Sequence, residues 1–318
     1  IDGLILEAEV SGEHKGQRLD QAATRLFPGY SRSRLQTWIR DGKLTLNGKP
    51  ARTRDKLFGG ETLILTAEVE NQGQWTAEDI PLDIIHEDES LIVINKPVGL
   101  VVHPAAGNRA GTLLNGLLFH CDALNKVPRA GIVHRLDKDT SGLMVVAKTL
   151  ASHASLVEQL REKTVKRIYQ AIVFGLVTAG GTVDEPLGRH PVHRTKRAVT
   201  HHGTDARDAV THYRILDKFR SHTLLQCELE TGRTHQIRVH MAFAGYPLVG
   251  DPLYGGRPRI PKGADPQLIS CLEHFKRQAL HAWQLGLDHP ETGESMSWQV
   301  DMPEDMQRLL ELLEADNV

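Results

Sequence analysis

Two helical patterns of apolar residues open the chain and are followed by strand patterns. The first pattern stops at Pro28-Gly29, and the second begins after Ser31, a candidate N-cap, and ends at Gly42. The positions predicted to be buried are Leu19, Ala22, Ala23, Leu26, Leu35, Trp38 and Ile39. Asn47-Gly48 then predicts a tight hairpin, and "ETLIL" predicts a further strand. The sequence thus predicts a small module of two helices and a few strands.

The rest of the chain is rich in strand patterns. "LDIIHEDESLIVIN" predicts two strands around an acidic turn, the second buried on both faces, while "AGIVH", "GLMVVAKT", "KRIYQAIVFG", "VTHYRIL" and "HTLLQCELE" predict further strands. Helices are predicted at "TLLNGLLFHCDAL", "LASHASLVEQLREKTV", "THQIRVHMAFAG" and "PEDMQRLLELLEAD". The positions expected to face inward are Leu156, Val157 and Leu160 in the second helix, Tyr169, Ala171 and Val173 in one strand, and Leu225, Cys227 and Leu229 in another. This order predicts an α+β fold around a mixed, largely antiparallel sheet.

A polar stretch, "ENQGQWTAEDIP", divides the chain and has the composition of a linker. We therefore expect an N-terminal extension at residues 1–13 and a small α/β domain at 14–70. The linker is expected at 71–81, and a larger domain at 82–318.

Charge is unevenly distributed although the net charge is only −2. Between His14 and Gly59 there are 11 Lys or Arg against three Asp, whereas the stretch from Glu61 to Ser90 holds nine acidic residues and no Lys or Arg. Such asymmetry indicates an anionic partner for the basic segment. The alternative is a set of solvated faces whose charges offset each other.

Several classes of protein are disfavoured by the sequence. No apolar run approaches the roughly 20 residues that a membrane span needs, and the start lacks a basic and an apolar region of a secretory signal. Three widely spaced cysteines fit a reducing cytosol. The 17 histidines show no zinc-type spacing, and neither a P-loop nor a dinucleotide glycine motif occurs. We expect a cytoplasmic protein with no membrane association, no metal and no cofactor.

Two dense polar stretches carry the candidate chemistry. "HRLDKDTSG" places Asp137 between two predicted strands, and "LETGRTHQIRVHM" places Arg233, His235 and Arg238 where a strand turns into a helix. A guanidinium beside Asp137 favours its ionised form, which suits a nucleophile or a positioned base. Taken alone, "HRLDKDTSG" is equally compatible with a charged surface turn.

Four ordered motifs resemble those of the RluA superfamily of RNA pseudouridine synthases. They are "NKPVGLVVHPAAG", "HRLDKDTSGLMVVAK", "KRIYQAIV" and "TGRTHQIRVHMAFAGYPLVGDPLYGG". "RLDQAATRLFPGYSRSRLQTWIRDGKLTLNGKPA" resembles the S4 RNA-binding domain. The resemblance is greatest to the branch that modifies large-subunit ribosomal RNA. It implies the pseudouridine synthase fold, an S4-like module, large-subunit ribosomal RNA or its precursor particle as partner, and no cofactor.

The resemblance also implies residue roles. Asp137 matches the essential aspartate, which attacks C1′ of the target ribose or takes its C2′ proton, a choice that the sequence leaves open. Arg135 matches the arginine that fills the space of the extruded base, Tyr169 the aromatic that packs on the uracil, and Arg238 the basic partner of the aspartate. The uracil is freed from N1, rotates and rejoins through C5.

A further set of basic residues is expected to bind RNA. It comprises Arg135, Arg32, Arg34, Arg40, Lys43, Arg194, Lys196, Arg197, Arg233 and His235. Our hypothesis is that the S4-like arginines and the insert around Arg194 bind phosphates on either side of the pocket. The alternative for the first module is a small basic capping domain.

Two other functions remain open from the sequence. One is an RNA-binding or assembly protein that keeps the fold without catalysis. The other is a glycosidase or nucleoside hydrolase, which normally needs two carboxyl groups about 5–10 Å apart across the bond. Asp137 and Asp139 lie in one tight turn and make a poor pair of that kind. A monomer is the expected state, because no heptad seam is visible.

Overall fold

The computed structural model describes residues 4–27, 30, 32–67, 75–105, 108–193, 195–201 and 205–316, with side chains except those of residues 4, 5, 33, 34 and 67. The predicted helix stop at Pro28-Gly29, the predicted N-cap Ser31 and residues 71–74 of the predicted linker lie outside this description. So do Arg194 and the side chain of Arg34. The chain forms two compact units, Ile1–Gln74 and Trp75–Val318.

The first unit combines two helices with a four-stranded antiparallel sheet of order β1-β4-β2-β3. Its elements are β1 (Leu4–Glu9), α1 (Leu19–Leu26), α2 (Arg32–Arg40), β2 (Leu44–Leu46), β3 (Lys49–Pro50) and β4 (Thr62–Ala67). The predicted helical stripes are confirmed, because Leu19, Leu35 and Trp38 lie in its core. The predicted hairpin is also confirmed: Asn47 and Gly48 have φ of 50° and 72°, as a two-residue type I′ turn requires. Strand β1 was not predicted.

The second unit is built on a nine-stranded sheet of order β5-β6-β7-β14-β8-β13-β12-β9, with β15 beside β14. Its strands are β5 (Ile84–Glu87), β6 (Leu91–Lys96), β7 (Ser141–Ala147), β8 (Lys166–Phe174), β9 (Gly181–Asp184), β10 (Leu187–Arg189), β11 (Arg197–Val199), β12 (Val210–Lys218), β13 (His222–Leu229), β14 (Leu280–Asp288) and β15 (Ser295–Gln299), of which β10 and β11 form a separate pair. Its helices are α3 (Leu113–His120), α4 (Leu150–Arg161), α5 (Gln236–Phe243), α6 (Pro266–His274) and α7 (Glu304–Ala315). Apart from the parallel contact between β7 and β14, the pairs in the sheet are antiparallel. The predicted α+β class with a largely antiparallel sheet is confirmed.

Strands β6 and β7 are buried on both faces, as "LIVIN" predicted. Ile92 and Met144 pack in a cluster with α3, whereas Val93 and Val145 pack on the opposite face with Leu156 of α4. Because neighbouring residues of a strand point to opposite faces, an unbroken apolar run is buried only where both faces are covered. The central strands therefore give a rigid support to the turns at their ends.

Three sequence predictions were wrong. "AGIVH" is not a strand: a 3₁₀ helix covers Pro128–Gly131, and Ile132 makes a single bridge to Val146. Arg129 and Ala130 adopt left-handed φ, which breaks the extended path that a strand needs. Val157 is 43% exposed rather than buried, because Leu156 alone of the two faces the sheet.

The helix expected to begin at Thr234 begins at Gln236 instead, since His235 caps it in the left-handed region with φ of 60°. Within the described residues, no helix is both long and apolar enough to cross a membrane.

Candidate active site

A carboxylate and a guanidinium from distant parts of the chain meet at one end of the central strands. Asp137 lies in the turn that leads into β7, and Arg238 lies in the first turn of α5. Arg238 donates from Nη1 to Oδ2 of Asp137 over 2.9 Å. The Asp137 side chain is 18% exposed and that of Arg238 only 5%. The carboxylate is thus accessible from one side and held by a buried cation from the other.

The other edge of the Arg238 guanidinium is fixed by a second carboxylate, Asp251. Nε and Nη2 of Arg238 donate to Asp251 over 2.7 and 2.9 Å, and Asp251 also accepts from the backbone of Leu253 and Tyr254. Burial alone would lower the pKa of Arg238, but Asp251 and Asp137 outweigh it and raise that pKa above its usual range. Arg238 is therefore a permanently charged group whose Nη1 is left for Asp137.

His235 and Tyr254 lie beside the Asp137–Arg238 pair. The backbone N–H of Arg197 donates to the Tyr254 hydroxyl over 2.8 Å, and that hydroxyl lies 2.9 Å from Nδ1 of His235. Nε2 of His235 lies 3.9 Å from Oδ1 of Asp137. Burial lowers the pKa of His235 more than Asp137 raises it, which favours a neutral ring at pH 7. His235, predicted as an RNA-binding residue, is thus a neighbour of the carboxylate.

Tyr169 points from β8 into the same cavity. Burial raises the pKa of its hydroxyl to about 12, with Asp137 adding to the increase and Arg167 opposing it. The phenol is accordingly protonated at neutral pH. It offers an apolar face and one hydroxyl to a ligand that faces Asp137.

Lys96, at the end of β6, was not predicted from the sequence. Its buried Nζ donates to the carbonyls of Pro97, Leu100 and Lys138 at 2.7 to 3.0 Å, so it ties the loop after β6 to the Asp137 turn. Burial lowers the pKa of Lys96 to about 8, and Asp139 and Asp137 limit that decrease. A lone lysine at the end of a strand gives no signal in the sequence that distinguishes it from a surface charge.

Asp137, Tyr169, His235 and Arg238 line a cavity of about 790 Å³. Its wall carries seven cationic side chains, namely Arg129, Arg135, Arg161, Lys163, Arg167, Arg233 and Arg238, against the carboxylates of Asp137 and Glu230. Glu230 is itself paired with Lys163 over 2.6 Å. The cavity thus suits a polyanion with a planar group placed against Asp137.

The structure brings some of the predicted residues to this cavity and leaves others elsewhere. Arg135, Arg233 and His235 line it, and Lys196 and Arg197 lie at the β10–β11 pair, where Arg197 contacts Tyr254. His240 faces away and bonds to Thr211 and to the Glu185 carbonyl, which makes it a structural residue.

Arg32, Arg40 and Lys43 belong to the first unit. Arg32 forms an ion pair of 2.8 Å with the buried Asp20, which Arg18 and Gln36 also contact, while Arg40 is exposed and donates to the Gln36 carbonyl. Arg32 therefore has a packing role in addition to any contact with a ligand.

No group of three or more His, Cys, Asp or Glu suited to a metal ion occurs within the described ranges. The donors around Asp137 are cations, a phenol and a neutral imidazole. The arrangement holds one carboxylate against a cation and can accept a planar base beside Tyr169 and the phosphates of a polyanion.

Comparison with protein families gives two matches. Residues 90–243 match the family described as RNA pseudouridylate synthase, and residues 17–62 match the S4 domain. The first range contains Asp137, Tyr169 and Arg238, and the second contains Arg32, Arg40 and Lys43.

Individual proteins agree with these matches. The chain is 59% identical to a protein of Pseudomonas aeruginosa named ribosomal large subunit pseudouridine synthase D, over 97% of this chain and 96% of that protein. It is 55% identical to a protein of Escherichia coli with the same name, over 98% and 95%. Among solved structures, human RNA pseudouridylate synthase domain containing 4 matches with a TM-score of 0.58 and 28% identity, over 73% of this chain and 93% of that one.

Proposed function

The chain belongs to the RNA pseudouridylate synthase family, and on that premise we propose that it converts specific uridines of large-subunit ribosomal RNA to pseudouridine. The relatives from Pseudomonas aeruginosa and Escherichia coli, which cover nearly the whole chain, are named for that RNA. The observation that carries the proposal is the Asp137 carboxylate held 2.9 Å from Arg238 in a cavity with a cationic wall.

The reaction is an isomerisation, so every bond that breaks is replaced within the same nucleotide. The target uridine leaves the RNA stack, at a cost of a few kcal/mol, and enters the cavity. The Asp137 carboxylate attacks C1′ or takes the C2′ proton, and the bond from C1′ to N1 breaks. After the uracil rotates, C5 joins C1′ as the bond from C1′ to Asp137 breaks or, in the other route, as the proton returns to C2′. The C5 proton is then lost and N1 gains a proton.

We assign roles to the surrounding residues, and their placement supports each one. Arg238, fixed by Asp251, binds the Asp137 carboxylate and aims it into the cavity. The Tyr169 ring is placed to stack on the uracil, a contact worth roughly 1–3 kcal/mol. The exposed, planar Arg135 is suited to fill the space that the extruded base leaves in the RNA.

The RNA extends beyond the cavity, and we assign two further surfaces to it. One is the S4-like module with Arg32, Arg34, Arg40 and Lys43, and the other is the insert with Arg194, Lys196 and Arg197. Residues 14–70 form that module in this proposal, residues 71–81 link it, and residues 82–318 form the catalytic domain. The relatives are bacterial, and bacterial ribosomal RNA lies in the cytoplasm, which supports a cytoplasmic location. We also propose a monomer, because no heptad seam is visible in the sequence.

The direct test uses purified protein and transcribed large-subunit ribosomal RNA. The wild type is expected to form pseudouridine at defined positions, Asp137→Asn to form none, and Asp139→Asn to retain most of the activity. Asp139→Asn is the matched control because it removes a carboxylate from the same turn without touching Arg238. If the wild type releases free uracil, the protein is a hydrolase. If it binds the RNA without changing it, the protein is a non-catalytic RNA-binding protein.

A further inference from the structure

Arg167 is a buried cation in the cavity wall that the proposed reaction does not use. It precedes Tyr169 by two residues in β8, so both side chains lie on the same face of the strand and both line the cavity. Arg167 is only 6% exposed. The wall of the same cavity also carries Arg161, Lys163 and Arg233.

The guanidinium of Arg167 is mostly unpartnered. Of its five N–H groups, Nη2 donates to the Glu230 carbonyl over 3.2 Å, whereas Nε is buried without a hydrogen-bond partner. In the part of the chain that the structure describes, no carboxylate lies within 4.0 Å of it. Arg238 and Arg277 are the other buried arginines among the described residues of Trp75–Val318, and each has a carboxylate oxygen on both Nε and Nη2.

A buried charge without a counter-ion is unfavourable for folding. Burial lowers the pKa of Arg167, but a guanidinium stays protonated in proteins. The arrangement is therefore costly in the free protein and becomes favourable when an anion enters the cavity.

Gly232 keeps the space for this guanidinium. A Cβ at Gly232 would lie 2.7 Å from Nη1 of Arg167. Chain neighbours aside, Arg167 is the one described residue within 4 Å of that position. The glycine has no left-handed φ, so alanine there displaces the end of a flexible side chain rather than the backbone.

We propose that Arg167 binds a phosphate that flanks the extruded nucleotide and so sets the position of the ribose against Asp137. A planar guanidinium with free donors on two edges matches the oxygens of a phosphodiester. The two-residue offset from Tyr169, about 6.6 Å along the strand, separates the phosphate from the base that stacks on the ring. This inference rests on the proposed function, because it takes RNA as the ligand.

The first test compares binding and stability of Arg167→Met with the wild type and with Arg308→Gln. Arg308 is the matched control because it is exposed on α7 and pairs with Glu311. Arg167→Met is expected to bind large-subunit ribosomal RNA about 10- to 100-fold more weakly, with a smaller salt dependence, while its Tm stays equal or rises. Gly232→Ala should also weaken RNA binding, and the protein should remain folded. A lower Tm with unchanged affinity and salt dependence would show that Arg167 is structural.

The second test removes the charge from the RNA instead. In a synthetic stem-loop that contains a uridine modified by the wild type, each flanking phosphate is replaced in turn by a neutral methylphosphonate. One replacement is expected to weaken binding of the wild type and to have no further effect on Arg167→Met. Equal sensitivity of both proteins at every position would overturn the inference. Failure of the proposed function looks different, since the wild type would then modify no ribosomal RNA at all.

Discussion

The guanidinium of Arg238 is shared between two carboxylates of different exposure, and this sharing defines the site. Asp251 is fully buried and binds two of the nitrogens, whereas Asp137 faces the cavity and binds the third. Because Asp251 already fixes the Arg238 guanidinium, Arg238 does not need to reorganise when a substrate arrives. Such preorganisation is a main source of catalytic power. Asp251 thus acts on the reaction through Arg238.

Replacing Asp251 by asparagine tests this positioning role. Asp251→Asn keeps the shape but leaves a buried arginine with one charged partner, so the free energy of unfolding should fall by about 3 kcal/mol. The rate of pseudouridine formation should fall about tenfold or more, because Arg238 loses its fixed direction. Chemical unfolding and single-turnover assays measure the two effects.

Glu311→Gln provides the control for that change. Glu311 pairs with Arg308 on α7 and both side chains are more than half exposed, so the loss should be about 1 kcal/mol or less, with activity retained. Wild-type rate and stability in Asp251→Asn would contradict the role given to Asp251.

Individual site residues could be predicted from the sequence where a short stretch of the chain carries the signal. The meeting of Asp137 and Arg238, 101 positions apart, was expected from two dense polar stretches and is present. Asp251 and Lys96 were missed, because their roles come from what the folded chain places around them. Arg167 could have been found, since the alternation of β8 puts it on the face of Tyr169.

At the level of elements, the loop before Asp137 is shaped by three successive left-handed residues. Arg129, Ala130 and Gly131 have φ of 54°, 51° and 78°, and a Cβ at Gly131 would overlap the backbone carbonyl of Ala147. This close approach fixes the loop against β7. The strand pattern of "AGIVH" was misleading because apolar content alone does not report backbone conformation.

Gly131→Ala should therefore destabilise the protein and reduce activity, whereas Gly111→Ala is a matched control. Gly111 also has left-handed φ, of 68°, but a Cβ added there would meet nothing within 4 Å. Both changes carry the backbone cost of about 1–2 kcal/mol, and only Gly131→Ala adds a clash, which costs about 1–3 kcal/mol more. Equal losses for the two variants in urea unfolding would show that the loop is not held by this approach.

At the scale of the whole molecule, the uneven distribution of charge carries more information than the net charge of −2. The basic segment lies in the S4-matching region, and the cavity of the larger unit has a cationic wall. The fold class followed from the order of strand and helix patterns. The pairing of β14 with β7, β8 and β15 did not, because register between distant strands leaves no local trace in the sequence.

Arg40 offers a test of the RNA-binding role of the first unit. It is exposed, whereas Arg32 is tied to Asp20, so Arg40→Gln changes the surface charge without breaking the core of that unit. Affinity for ribosomal RNA should fall, and the slope of log affinity against log salt should decrease by about 0.7–1. An unchanged slope, equal to that of Arg308→Gln, would remove Arg40 from the RNA-binding surface.

The most direct test of the central claim maps pseudouridine in large-subunit ribosomal RNA from three kinds of cells: those with the protein, those lacking it, and those carrying only the Asp137→Asn form. We expect the same few positions to be pseudouridine in the first and unmodified uridine in the other two. Pseudouridine at all of these positions in cells with only Asp137→Asn would contradict the assignment of Asp137 as the catalytic carboxylate.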